Sequence, residues 1–400
     1  MQGEAHFQKQ NVVSLPAADA PKVRPDVTLD DTAKRLAQIW QELLGVGPVG
    51  LDQNYFDLGG DSSLAVQLFS RIASVFKVQL PLATLFDAPT ITELAEVLRH
   101  EVSASHWSPL VAIQPFGSRP RFFCIHGAGG NVLIYRDLSR HLGPDQPFYG
   151  LQSQGLDGTS PPLKTIEEMA AIYVAEIRKV CPQGPYYLGG YCMGGTVAFE
   201  VAQQLTAQGE QIALLALFDT MDWSKIPQAS VWTRIYQITQ RLTFHLANFL
   251  CLDLAGMVKF FREKLAILGD RLPLWMGMQL AKLDPQRFRR TMPESRALGR
   301  LWQLNDRACV VYLPRPYPGK ITDFRPRKQY QRYSKPEAKW EPLARGGQEI
   351  VVLPVYPAGM LVEPFVKHLA LALRDSIDAA AAPLTSTAGL AETTKERILD

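Results

Sequence analysis

The chain has 400 residues, 46% of them hydrophobic and 20% charged, long enough for one large core and a second, smaller one. A net charge of +3 is near neutral for this length, and no Lys/Arg run is long enough to line a nucleic-acid groove, so nucleic acid is set aside as a partner. No apolar stretch reaches bilayer-spanning length, the first nine residues lack a signal-type apolar centre, and the five cysteines form no CxxC pair, so a cytoplasmic chain with reduced thiols and neither membrane contact nor a metal site is expected.

Residues 1–27 are polar and carry Pro16, Pro21 and Pro25, the composition of a linker. Residues 28–100 read as a small helical bundle. Ala33, Leu36, Ile39, Trp40, Leu43 and Leu44 have helical spacing, as do Leu64, Leu68, Ile72, Val75 and Phe76, and a further helix runs over Thr92 to Arg99. Between the first two lies a loop in which Gly59 and Gly60 free the backbone ahead of Asp61 and Ser62 at a helix start. Taken alone, Ser62 could be an N-cap.

Asp52, Phe56 (displaced by one), Leu58, Gly59, Gly60 and Ser62 resemble the carrier-protein motif D-x-F-x-x-L-G-G-x-S-L. Ser63 departs from it, because the family prefers an apolar residue there. The resemblance covers about seventy residues. It implies that Ser62 carries 4′-phosphopantetheine, placed there by a phosphopantetheinyl transferase, and that the arm's thiol holds an acyl or peptidyl group as a thioester. The Asp61-Ser62 form leans toward a peptidyl carrier.

Residues 101–119 read as a second linker, after which apolar runs alternate with helical ones. Strands are predicted at Arg121 to Ile125, Phe148 to Leu151, Tyr186 to Leu188, Ile212 to Phe218, Ile321 to Phe324 and Ile350 to Leu353. Continuous apolar strands with helices between them predict a mostly parallel sheet covered on both faces. From about 222 to 304 the alternation gives way to helices rich in Trp, Met and Leu, an inserted helical lid. Residues 379–400 read as a disordered tail, which closes the second domain at about 378.

Within that domain Gly190-Tyr191-Cys192-Met193-Gly194 joins a strand to a helical pattern, the setting of the G-x-S-x-G nucleophile elbow with cysteine in the serine place. The bland reading is a buried cysteine beside a glycine turn. The wider pattern favours a nucleophile. Phe122 to Gly130, Phe148 to Gln152, Gly184 to Gly195 and Leu217-Phe218-Asp219 resemble the type I thioesterases that end nonribosomal peptide and polyketide synthetases. That resemblance spans most of residues 120–375 and implies an α/β-hydrolase fold. It also implies that Cys192 is the nucleophile, Asp219 the triad acid, and the N–H groups of Met193 and Ala128 the oxyanion-hole donors. Carrier followed by thioesterase is the order in those assembly lines, which implies upstream synthetase modules and a tethered peptide as partners.

The pattern breaks at the base. The family's histidine after the last strand falls on Pro357, and proline cannot transfer a proton. Of the seven histidines, His245 alone lies on the apolar stripe of a lid helix, with Val231, Ile235, Ile238, Leu242 and Phe249, and is the candidate displaced base. A hydrogen-bonded core histidine is the competing reading. Cysteine needs a base less than serine does, and a helix start under the elbow is expected to lower the thiol pKa further. Loss of the loop histidine also removes the group that activates water. The domain therefore resembles the cysteine-type thioesterases of monobactam-forming synthetases, which implies release by ring closure, with a β-lactam as one case. Hydrolysis to a linear acid and a catalytically inactive carrier-binding domain stay open beside it. A serine-to-cysteine replacement made to trap an acyl-enzyme would leave Pro357 unexplained.

Overall fold

The computed structural model describes residues 29–60, 62–78, 80–99, 108–156, 160–222, 293–327, 340–355, 359–382 and 395–399. His245 and Pro357 lie outside these, as does nearly all of the predicted lid. Among the described residues no helix is long and apolar enough to cross a membrane, and no group of three or more His, Cys, Asp or Glu is placed to hold a metal ion.

The first unit packs α1 (Leu29–Leu44), α2 (Ser62–Phe76), the single turn α3 (Thr84–Asp87) and α4 (Ile91–Arg99) around one apolar centre. Leu36, Trp40, Leu68, Ile72 and Leu94 are fully buried there, the positions that helical spacing assigns to the inward faces. Tyr55 is also fully buried, its ring edge-on to Trp40 at 5.1 Å, and anchors the loop before Ser62. A Cβ at Gly60 would stand 2.3 Å from that ring, so only glycine lets the loop turn so close to its anchor. Across the bundle Asp52 accepts a hydrogen bond from the Thr92 hydroxyl at 2.8 Å, which ties the loop to the start of α4.

The second unit is an eight-stranded sheet in the order β1-β3-β2-β4-β5-β6-β7-β8. Its strands are β1 (Leu110–Gln114), β2 (Phe122–Ile125), β3 (Phe148–Leu151), β4 (Tyr186–Tyr191), β5 (Ile212–Phe218), β6 (Ile321–Pro326), β7 (Gln348–Leu353) and β8 (Lys395–Ile398). All pair in parallel except β1, which runs antiparallel to β3. The helices α6 (Ile166–Val180) and α7 (Met193–Ala207) cover one face, while α5 (Arg136–Leu142) and α9 (Val366–Ala381) cover the other. The central strands are buried on both sides, which is why they read as unbroken apolar runs.

Three expectations shift. The segment taken as linker to 119 contains β1, so the sheet begins at Leu110. The segment taken as a disordered tail contains β8, paired in parallel with β7 through Glu349 to Val352. The lid boundary at 304 falls inside a continuous helix, α8 (Pro293–Val311).

The two units touch. Leu133, just before α5, is buried among the carrier's core residues, while Ala83 and Phe86 of the carrier pack against the sheet domain's core. Beside this apolar seam, the Arg136 guanidinium lies 4.0 Å over the Phe56 ring and 3.7 Å from the Asp57 carboxylate.

Candidate active site

Cys192 stands between β4 and α7 with φ 55° and ψ −117°, a left-handed conformation that a non-glycine residue adopts at a cost. The flanking glycines make the turn possible. A Cβ at Gly190 would fall 2.2 Å from the carbonyl carbon of Gly194, and one at Gly194 would fall 2.1 Å from the carbonyl oxygen of Ile125. The turn is held from both sides. Cys192 N–H donates to Phe218 O at 2.9 Å, and the Thr220 hydroxyl donates to Cys192 O at 3.1 Å. Trp340 Nε1 in turn donates to Thr220 O at 3.0 Å.

Asp219 follows β5, where Tyr191 and Phe218 are register partners, so Asp219 and Cys192 leave adjacent strands side by side. Asp219 also has positive φ, at 46°. Its Oδ1 is buried and has no hydrogen-bond partner among the described residues. Burial first, then the neighbouring Asp323, push its pKa up to about 7, against a smaller lowering by Arg325. Asp323 itself is paired with Arg325 at 2.6 Å.

The loop after β2 carries the other candidate donor. His126 is fully buried, with Nδ1–H donating to Gly127 O at 2.6 Å and Nε2 accepting from the Tyr173 hydroxyl at 2.7 Å. Burial lowers its pKa to about 4, so the ring is neutral and both nitrogens are engaged. His126 shapes the loop and is not placed to act as a base. The Ala128 N–H has no hydrogen-bond acceptor among the described residues. The Ala128 carbonyl accepts from Asn305 Nδ2 at 3.0 Å, and Asn305 is fully buried on α8. Because a carbonyl only accepts, this bond fixes which end of the Asn305 amide is nitrogen. The Asn305 Oδ1 is buried with no hydrogen-bond partner among the described residues.

Electrostatics correct one expectation. Met193 N–H donates to the Cys192 sulfur and lowers its pKa, as a helix start should, but the balance runs the other way. Burial, Asp219 and Asp306 together push the thiol up to about 12. Cys192 is therefore a thiol at neutral pH. Asp306, which accepts from Trp302 Nε1 at 3.1 Å, and Asn305 fall just past the predicted lid boundary at 304. Their signal was present as the helical spacing of Trp302, Asn305 and Asp306, three and four residues apart.

Ser62 is the first residue of α2. A helix start offers unpaired N–H groups and a favourable dipole to a phosphodiester, so the position fits a phosphopantetheine attached through the serine oxygen.

Residues 34–98 match the family model for a phosphopantetheine attachment site, and residues 120–243 match that for a thioesterase domain. The chain is a carrier–thioesterase didomain, and its carrier is of the kind that bears 4′-phosphopantetheine covalently on a serine. Its relatives include proteins named as nonribosomal peptide synthetases. It is 46% identical over 187 residues to malpinin synthetase of Mortierella alpina, covering 46% of this chain and 2% of that one. It is 43% identical over 184 residues to a dimodular nonribosomal peptide synthase of Bacillus subtilis, covering 46% of this chain and 8% of that one. The chain thus spans less than a tenth of either relative. A solved four-domain nonribosomal peptide synthetase bound to AMP and glycine superposes with a TM-score of 0.53 at 25% identity, over 93% of this chain and 27% of that one.

Proposed function

We propose that the didomain releases a peptide from an assembly line by moving it from the arm on Ser62 to Cys192 and then expelling it by intramolecular attack of an amine, which closes a ring. The observation that carries this reading is a thiol on a strained elbow, next to the Met193 N–H and the buried Asp219 carboxyl, in one chain with a carrier. The arm supplies a thiol that presents the acyl chain as a thioester.

Cys192 Sγ attacks the acyl carbonyl, and the N–H groups of Met193 and Ala128 stabilise the charge that grows on its oxygen. The Cys192 proton leaves, the bond to the departing sulfur breaks, and that sulfur is protonated. Passing a proton from the raised thiol to the Asp219 carboxylate is uphill, so it moves as the carbon–sulfur bond forms. Asp219, half ionised near neutral pH, is suited to draw that proton, directly or through His245. The acyl-cysteine is a thioester and stays activated toward amines. An amine of the chain then attacks it, loses a proton and returns the Cys192 thiol. A four-membered lactam is the most strained ring within this reading, and water as the second nucleophile gives the linear acid.

Intact-protein mass spectrometry tests this on the chain primed at Ser62 and loaded with a peptidyl thioester. Acyl mass should appear on the protein outside the arm in the wild type and not in Cys192→Ala, with a product lighter than the linear acid by one water. An acyl group that stays on the arm in both forms would favour an inactive domain, and only linear acid would favour hydrolysis.

A further inference from the structure

Arg136 is the first residue of α5, where a cation meets the positive end of the helix dipole. Its side chain is nonetheless only 17% exposed. Asp137 Oδ1, 3.2 Å from Nη1, offsets part of that cost. Among the described residues the guanidinium also meets the carrier, lying 4.0 Å over the Phe56 ring and 3.7 Å from the Asp57 carboxylate. Three residues earlier, Leu133 is 5% exposed because it completes the carrier's apolar core. Phe56 and Asp57 belong to the loop that leads to Ser62. Leu133 and Arg136 belong to the stretch that leaves the loop of Ala128. One short segment therefore touches both the carrier and the candidate oxyanion hole.

We propose that Leu133 and Arg136 form the docking surface through which the thioesterase domain receives its carrier, and that the partner this surface fits is a carrier loop with an aromatic residue followed by an acid, shortly before the modified serine. The proposal rests on the reading that the acyl chain reaches Cys192 from Ser62. Leu133 supplies the apolar seat, and Arg136 selects the aromatic-acid pair by stacking on one and pairing with the other.

The test compares wild type, Arg136→Glu, Asp57→Arg and the double variant. One arm follows product release from the loaded carrier. The other follows turnover of the same acyl group on N-acetylcysteamine, a soluble thiol that needs no carrier. Arg136→Glu should slow carrier-dependent release by about tenfold or more, the size expected for loss of a stacked cation and reversal of a charge pair. Turnover of the soluble thioester should be unchanged, and the double variant should recover part of the loss. Equal loss in both arms, no loss in the carrier arm, or no recovery in the double variant would each overturn the proposal. Should the wild type turn over neither substrate, the release reading fails and the dock is still tested. Backbone amide shifts of residues 52–60 should then move between wild type and Arg136→Glu, and identical shifts would refute the contact.

Discussion

Replacing Asp219 by asparagine tests the electrostatics of the site without enlarging a side chain. Asparagine tolerates positive φ better than most residues, so the backbone at 46° is preserved. The wild-type carboxyl has an ordinary value of 3.8 and stands at about 7 in the fold. Between these values the folded state holds a proton that the unfolded state has released, so stability falls as pH rises from about 4 to about 7 and stays low above. Integrated over that window, ionising Asp219 costs the fold up to ~4 kcal/mol at pH 8, at ~1.4 kcal/mol per pH unit. Asp219→Asn escapes that cost. Chemical denaturation, read on the transition of the sheet domain, should show the variant ahead of wild type by ~2–4 kcal/mol at pH 8, with the gap closing toward pH 4. Turnover should meanwhile fall by ~100-fold or more, because the group proposed to draw the thiol proton is gone. A stability gap that does not change between pH 5 and 8 would mean that the carboxyl is satisfied and ionised in the fold, and the argument would fail.

Alkylation of Cys192 by iodoacetamide, measured against Cys192→Ala, should inflect above about pH 10, and Asp306→Asn should bring the inflection down by removing one of the two carboxylates that raise it. An inflection at about 8.5 or lower, the free-thiol range, would refute a raised thiol. Asn305→Ala should lower kcat about tenfold with a soluble thioester while KM changes little, since Asn305 touches the loop of the candidate oxyanion donor; unchanged kcat would separate that loop from α8. His245→Ala should leave folding intact and cut turnover by ~100-fold if the side chain is the displaced base, and unchanged turnover would remove it from the mechanism.

The parts that were legible in the sequence are those where one steric or apolar rule decides. Gly190 and Gly194 could be read because no side chain fits where the elbow meets its own helix and β2. The central strands could be read because burial on both faces leaves continuous apolar runs. Edge strands follow no such rule. β1, the short edge run Leu110-Val-Ala-Ile-Gln114, is closed off by Pro109 and Pro115, and β8, Lys395-Glu-Arg-Ile398, is mostly charged, so both read as connecting chain. The thiol's raised pKa was hidden for another reason. The helix start that lowers it is local and visible, whereas Asp219 and Asp306 come from elements about thirty and about a hundred residues away, and burial is a property of the assembled fold. Asn305 and Asp306 lie beyond the predicted boundary at 304 because α8 runs on to Val311 with no capping signal at 304.

The Asn305–Ala128 bond sits at the end of the long insertion that separates β5 from β6. It acts as a fixed point: α8 is tied there to the loop that follows β2. Under the proposed function, a change in the residues before α8 leaves that tie in place, and with it the Ala128 loop beside the Cys192 elbow.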